Sequence, residues 1–235
     1  MPTTREPALT PRQGDGAVRA VALALPGGSV ASRRRPLRIA AWGLRPLLGQ
    51  LNAVGGPAGV AVHVLRYRYR GWNGAEAHTA ADAQWALEEV RRRHGDVPVA
   101  LVGNSLGGRA AFWAAGHPLV VSVAGVAPWL PDGDPVDQLA GRRVLILHGD
   151  RDRSEASPEL SLAYAERARQ VTPDLCRLEV GGANHLMLNR APDVWALTAD
   201  FVLGTLGVRP LAPLITDAMA AGGSLRTPLP VGFGR

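Results

Sequence analysis

VALVGNSLGG, residues Val99 to Gly108, is the stretch from which the rest of this 235-residue chain can be read. An apolar run with the character of a strand leads into Gly103-Asn104-Ser105-Leu106-Gly107, and the helix-forming RAAFWAA follows. The spacing has a steric reading. If Ser105 sits on a sharp strand-to-helix turn, side chains two positions before and after it would strike the neighbouring strand and helix, and glycine fits both places. Such a turn lifts the hydroxyl above a sheet and aims a helix N-terminus at whatever is bound there. Gly-rich turns are also ordinary tight connections, so the flanking strand and helix carry the argument.

Outward from this turn, short apolar runs bounded by turn residues recur at Val18 to Leu25, Val60 to Tyr67, Val97 to Val102, Val120 to Val126, Val144 to Leu147 and Leu175 to Val180. Most are continuous rather than alternating, the pattern of central parallel strands covered on both faces. Helical segments lie between them. Asn73 and Glu76 have the spacing of a capping pair for a helix ending near His94, with Gly95 as its stop. Ser157-Pro158 reads as N-cap and first residue of a helix running to about Gln170, and Pro192 opens another. The alternation predicts an α/β protein with a doubly wound, mostly parallel sheet of about six strands and helices on both faces. Residues 1–17 read as a flexible lead, 18–206 as one domain, and 207–235 as a loosely docked Pro-, Gly- and Ala-rich tail around a short helix at Leu211 to Ala221.

In open parallel sheets, sites form beyond the carboxyl ends of the strands. VLILHGDRDR, Val144 to Arg153, ends a strand in His148-Gly149 and places Asp150 and Asp152 just after it. LEVGGANHLML, Leu178 to Leu188, ends the next strand in glycines followed by His185. Aspartates in such a turn can simply cap a helix, and a lone loop histidine is more often structural. The chain order Ser, Asp, His beyond successive strands gives them a joint meaning. Together these segments resemble the α/β-hydrolase superfamily over roughly Val18 to Leu206. The resemblance implies Ser105 as nucleophile, Asp152, the second aspartate of G-D-x-D, as triad acid, and His185 as general base. It also implies that LALPGGS, Leu23 to Ser29, supplies oxyanion donors from Gly27 or Gly28 beside the Leu106 N–H, although Pro26 stands where the family commonly has histidine. The family's first two strands have no counterpart here. No helical cap fits in the 17 residues Ala127 to Arg143, so the resemblance is to capless or minimal-cap, esterase-like members. Trp72 and Trp129 follow strand ends on the side of the site, where pocket lining and edge packing are both open.

The implied function is hydrolysis of a small-molecule carboxylic ester, or a thioester, without cofactor or metal. Acyl transfer with the same triad and a non-catalytic ligand-binding protein on the same fold are the alternatives. The formal charge is +6 and all 26 basic residues are arginine, but they are scattered. The short runs at Arg33 to Arg35 and Arg91 to Arg93 come with no nucleic-acid motif and read as solvated faces. VGGPAG at Val54 to Gly59 lacks the lysine of a phosphate loop. Cys176 is the only cysteine, so no intrachain disulfide forms. The polar N-terminus has no apolar signal core, and no apolar run is long enough to span a bilayer. A soluble cytoplasmic protein with no nucleic-acid or membrane partner is expected. His63, His78, His94, His117 and His148 are read as structural.

Overall fold

The computed structural model describes residues 5–11, 16–36, 38–220 and 223–234. Along them the chain forms β1 (Ala8–Leu9), β2 (Ala20–Leu25), α1 (Arg45–Gln50), β3 (Val60–Arg66), α2 (His78–His94), β4 (Val99–Asn104), α3 (Leu106–Ala114), β5 (Val120–Val126), β6 (Arg143–Gly149), α4 (Pro158–Ala168), β7 (Leu175–Val180), α5 (Ala191–Thr205), α6 (Pro213–Met219) and β8 (Thr227–Pro228). The strands make one sheet in the order β1-β3-β2-β4-β5-β6-β7-β8, parallel from β3 to β8 and antiparallel only between β1 and β3.

The six long strands are the six apolar runs of the sequence. Their continuity follows from the two faces they serve. In β2, Val21, Leu23 and Leu25 join α2, α3 and α4 in one core, while Ala20, Ala22 and Ala24 join α1, α5 and α6 in the other. Every β2 residue is buried, so no position tolerates a polar side chain.

Three expectations need correction. Two dipeptide edge strands extend the sheet to eight. One lies in the N-terminal lead, where the Thr10 N–H donates to the Val64 carbonyl of β3, the Thr10 hydroxyl accepts from the Val64 N–H, and Leu9 is buried. The other belongs to the tail, which packs against the domain: Ile215, Ala218 and Leu229 are buried in the second core, and Arg190 donates to the carbonyls of Leu229 and Pro230. Third, Asn73 caps nothing. It adopts a left-handed conformation (φ 66°), and its side chain accepts from the Ser32 N–H at 2.7 Å and donates to the Gly71 carbonyl, tying two loops together. Its supposed partner Glu76 pairs instead with Arg33, and α2 starts at His78. The other signals hold: Gly95 ends α2, Ser157 Oγ accepts from the Leu160 N–H at the head of α4, and Pro192 lies in the first turn of α5.

The chain leaves β2 toward β3 on one side and returns to β4 on the other. The strand order therefore reverses at β2, and the carboxyl ends of β2 and β4 border the crevice where ligands bind in such sheets.

Candidate active site

Ser105 follows β4 at this switch point. Its backbone sits at φ 54°, ψ −120°, a conformation L-residues adopt at a cost of roughly 1–3 kcal/mol and only where surroundings enforce it. The enforcement is visible. The Ser105 N–H donates to the Val126 carbonyl at 3.0 Å, and the Ser105 carbonyl accepts from the N–H groups of Trp129 (3.1 Å) and Arg109 (3.3 Å). A Cβ at Gly103 would fall on the backbone of Gly107, and one at Gly107 on the carbonyl of Leu25, at the end of β2. The turn is therefore pressed between its own helix and the adjacent strand, as the glycine spacing requires.

Two further loops meet the serine from β6 and β7. They touch each other: the Arg151 N–H donates to the Ala183 carbonyl at 3.0 Å, and a Cβ at Gly149 would strike that same carbonyl. The contact brings Asp152 and His185 together. His185 Nε2 lies 3.0 Å from Ser105 Oγ, and His185 Nδ1 lies 2.6 Å from Asp152 Oδ2. With Nδ1–H donated to the carboxylate, Nε2 is left as acceptor for the serine hydroxyl, so the arrangement can move a proton from Ser105 to His185.

Asp152 is 4% exposed. Burial alone pushes its carboxyl up, but hydrogen bonds from His148, from the Ser154 side chain and N–H, and from His185 outweigh it and hold the group well below the ordinary carboxylate range. His148 contributes from a fixed tautomer. Its Nε2 lies 2.8 Å from the Ala156 carbonyl, which can only accept, so Nε2–H is the donor it also presents to Asp152 at 3.2 Å. Asp150 faces away, and its carboxylate accepts from the Gly182 N–H at 2.7 Å.

The sequence matches no family model and no curated protein. Solved structures do match. Est1E from Butyrivibrio proteoclasticus superposes with a TM-score of 0.61 at 15% identity, over 86% of this chain and 94% of that one. A serine hydrolase without a lid from Xanthomonas campestris gives 0.57 at 18%, over 88% and 90%. The monoacylglycerol lipase of Paleococcus ferrophilus gives 0.60 at 15%, over 85% and 98%. This chain has the α/β-hydrolase fold.

On that fold the loop after β2 faces the serine. Among the described residues no acceptor takes the N–H of Gly27, Gly28 or Leu106, whereas the Ser29 N–H is held by the Arg70 carbonyl at 3.0 Å. Gly28 and Leu106 also line a cleft of about 260 Å³ that contains Ser105, His185, Trp129, Ser154 and Glu155. A second cleft, of about 450 Å³, lies on the other side of the serine and is bounded by Gly27, Gly28, Arg70, Asn104, Leu186 and Trp195, among others.

Of the two tryptophans considered as lining, Trp129 lies in the first cleft. Trp72 does not: it is 3% exposed and belongs to the core. Its ring carries the Arg109 guanidinium at 3.8 Å, with Trp129 4.6 Å away from the same cation. Arg109 also forms a two-pronged pair with Asp134, at 2.8 and 2.7 Å, and so clamps the segment after β5 onto α3.

Ser154, Arg70, Leu186 and Trp195 are site residues the sequence did not single out. The apolar run HLML around His185 was the available signal for Leu186, and the others become neighbours only through the fold. Among the described residues no group of three His, Cys, Asp or Glu side chains could hold a metal ion, and no helix is long and apolar enough to cross a membrane.

Proposed function

We propose that this protein is a cytoplasmic serine hydrolase that cleaves a carboxylic ester, or a thioester, through an acyl-enzyme on Ser105. The observation that carries the reading is the unbroken relay from Ser105 Oγ to His185 to Asp152, at 3.0 and 2.6 Å, built on a serine held in a strained turn. Ser105 Oγ attacks the ester carbonyl while His185 Nε2 accepts its proton, and Asp152 stabilises the imidazolium without itself being protonated. The oxyanion is received by the N–H groups of Leu106 and of Gly27 or Gly28. Preorganised donors of this kind contribute about 10²–10³ in turnover each. Collapse of the tetrahedral species breaks the bond to the alcohol oxygen, which leaves with the proton from His185. Water then repeats the sequence on the acyl-enzyme, and the acid and free serine are released. No cofactor enters the scheme.

The test is covalent labelling by a fluorophosphonate probe, read beside p-nitrophenyl acetate turnover. Wild-type protein should label, and Ser105→Ala should lose labelling and about 10⁴ or more in turnover while remaining folded by circular dichroism. Undiminished labelling of the variant would assign the nucleophile elsewhere. A folded wild type that neither labels nor turns over would leave only ligand binding.

A further inference from the structure

Arg70 is the charged residue of the second cleft that the scheme above does not use. It lies just beyond β3, and its backbone is fixed on both sides: its N–H donates to the Arg34 carbonyl at 2.9 Å and its carbonyl accepts from the Ser29 N–H at 3.0 Å. Its side chain is half-buried, and its Nε donates to Ser29 Oγ at 2.8 Å. Here Arg70 differs from four of the arginines held in the body of the protein, and also from the half-buried Arg142 and Arg169, which lack a carboxylate but donate to the backbone carbonyls of Ala115, Gly223 and Leu175. Arg68, Arg109, Arg177 and Arg190 pair with Asp82, Asp134, Glu179 and Asp193. For Arg70, no carboxylate among the described residues lies within ion-pairing distance, and the second cleft has no acidic residue in its lining. Arg33, in the short arginine run Arg33 to Arg35, is exposed and occupied by Glu76.

A guanidinium offers five N–H donors in a planar fork, and a single bond to Ser29 leaves the outer edge unused. Partly desolvating a cation without a counter-charge is unfavourable, so an anion entering the cleft gains both charge and hydrogen-bond complementarity there. The charge count limits which anion. One guanidinium balances the single negative charge of a carboxylate, whereas a phosphate monoester near −2 would stay half-neutralised. Beside the polar groups of Ser29, Asn104, Ser105 and His185, one wall of the cleft is apolar. Leu186, Trp195 and Leu188 line it, and Leu186 and Leu188 are 68% and 72% exposed. Trp42, 61% exposed, adjoins Gly43 at the same rim. Large apolar side chains standing in water beside a fixed cation fit a ligand with an apolar body and an anionic end.

We propose that Arg70 selects ester substrates that carry a carboxylate, with their apolar body against Leu186, Leu188 and Trp195. The inference rests on the hydrolase reading for the ester bond, but not for the binding of the carboxylate. Two pairs of substrates locate the charge. Mono-p-nitrophenyl glutarate against p-nitrophenyl pentanoate places it on the acyl side. Butyryl 4-hydroxybenzoate against its methyl ester places it on the alcohol side. One carboxylate arm should exceed its neutral partner by about tenfold or more in kcat/KM, chiefly through KM, as expected for charge-assisted hydrogen bonds. That ratio should fall to near one in Arg70→Gln and be partly kept in Arg70→Lys, which retains charge but not the fork.

Calorimetric titration with 4-phenylbutyrate and with 4-phenylbutanamide reads the same contact without catalysis. The acid should bind wild type about tenfold more tightly than the amide, and this advantage should disappear in Arg70→Gln. Equal ratios in wild type and Arg70→Gln, or no preference for either carboxylate arm together with equal binding of acid and amide, overturn the proposal. Absence of all ester turnover with the acid preference intact would overturn the hydrolase reading alone.

Discussion

Asp150 and Asp152 are two residues apart, carry the same side chain and do different work. Asp150 closes a turn through Gly182, whereas Asp152 is buried and receives hydrogen bonds from His148, Ser154 and His185. Replacing Asp152 by Asn should leave the shape but offer His185 an amide, and the imidazole can then adopt the wrong tautomer. A loss of about 10⁴ in kcat is expected for Asp152→Asn, against less than tenfold for Asp150→Asn. Steady-state kinetics on folded variants decide it, and a larger loss for Asp150→Asn would move the acid by one turn position. At this scale the sequence was informative where the constraint is local. Gly103 and Gly107 are dictated by contacts within a few ångströms of Ser105, so their spacing announces the turn. Arg70 is not legible in that way, because its isolation from any carboxylate depends on which loops the sheet places around it. Trp72 stayed open between lining and packing for a related reason. A tryptophan after a strand end can point to the crevice or under it, and the cation that draws it under, Arg109, lies on a helix that begins at residue 106.

Elements are where proline and glycine punctuation was most readable and where polar side chains were most easily misread. Ser157-Pro158 and Gly95 act within their own turn, so their signals survive folding. Asn73 and Glu76 have the spacing of a cap, yet their side chains are taken by Ser32 and Arg33, some forty residues earlier in the chain. The tail shows the same effect. Its composition suggests loose docking, but Asp193 in α5 accepts from the N–H groups of Gly232 and Gly234 and from Arg190, which also holds Leu229 and Pro230. Burial pushes the Asp193 carboxyl up, and the hydrogen bonds from Gly234, Arg190 and Gly232 bring it below its ordinary value. A carboxylate depressed in the folded state contributes stability above its unfolded pKa of about 3.9, and the contribution is lost as pH falls through the folded value. Asp193→Asn should therefore destabilise the protein by about 1.5–3 kcal/mol at pH 7, the scale of hydrogen bonds to a charged group. The gap from wild type should narrow as pH drops below about 4. Urea unfolding at both pH values checks the sign, and a gap that widens in acid would contradict it.

At the scale of the whole molecule, the strand order decides where chemistry can occur and the connections decide what can reach it. The reversal at β2 brings Gly27, Gly28 and Ser105 to one crevice, and the loops after β6 and β7 deliver Asp152 and His185 to the same edge. Alternating strands and helices predicted this arrangement because a doubly wound sheet follows from covering both faces of continuous apolar strands. The connection between β5 and β6 sets the other limit. From Ala127 to Arg142 it forms one three-residue helical turn, Asp137–Leu139, and is clamped flat by Arg109 and Asp134. Nothing in that segment rises to roof the serine, and both clefts beside it open to solvent. Burying a methylene is worth about 0.8 kcal/mol only when water is excluded from it. Leu186 and Leu188 offer contact on one side of a chain but cannot enclose it, so each added methylene beyond the cleft returns to water. Specificity constants for neutral p-nitrophenyl esters should rise from acetate to roughly hexanoate and then level or fall toward palmitate, because the later carbons gain little of that term. The measurement is kcat/KM along the series, each ester below its micelle concentration. A continued rise through the long chains would mean that Leu186, Leu188 and Trp42 close over the substrate when it binds.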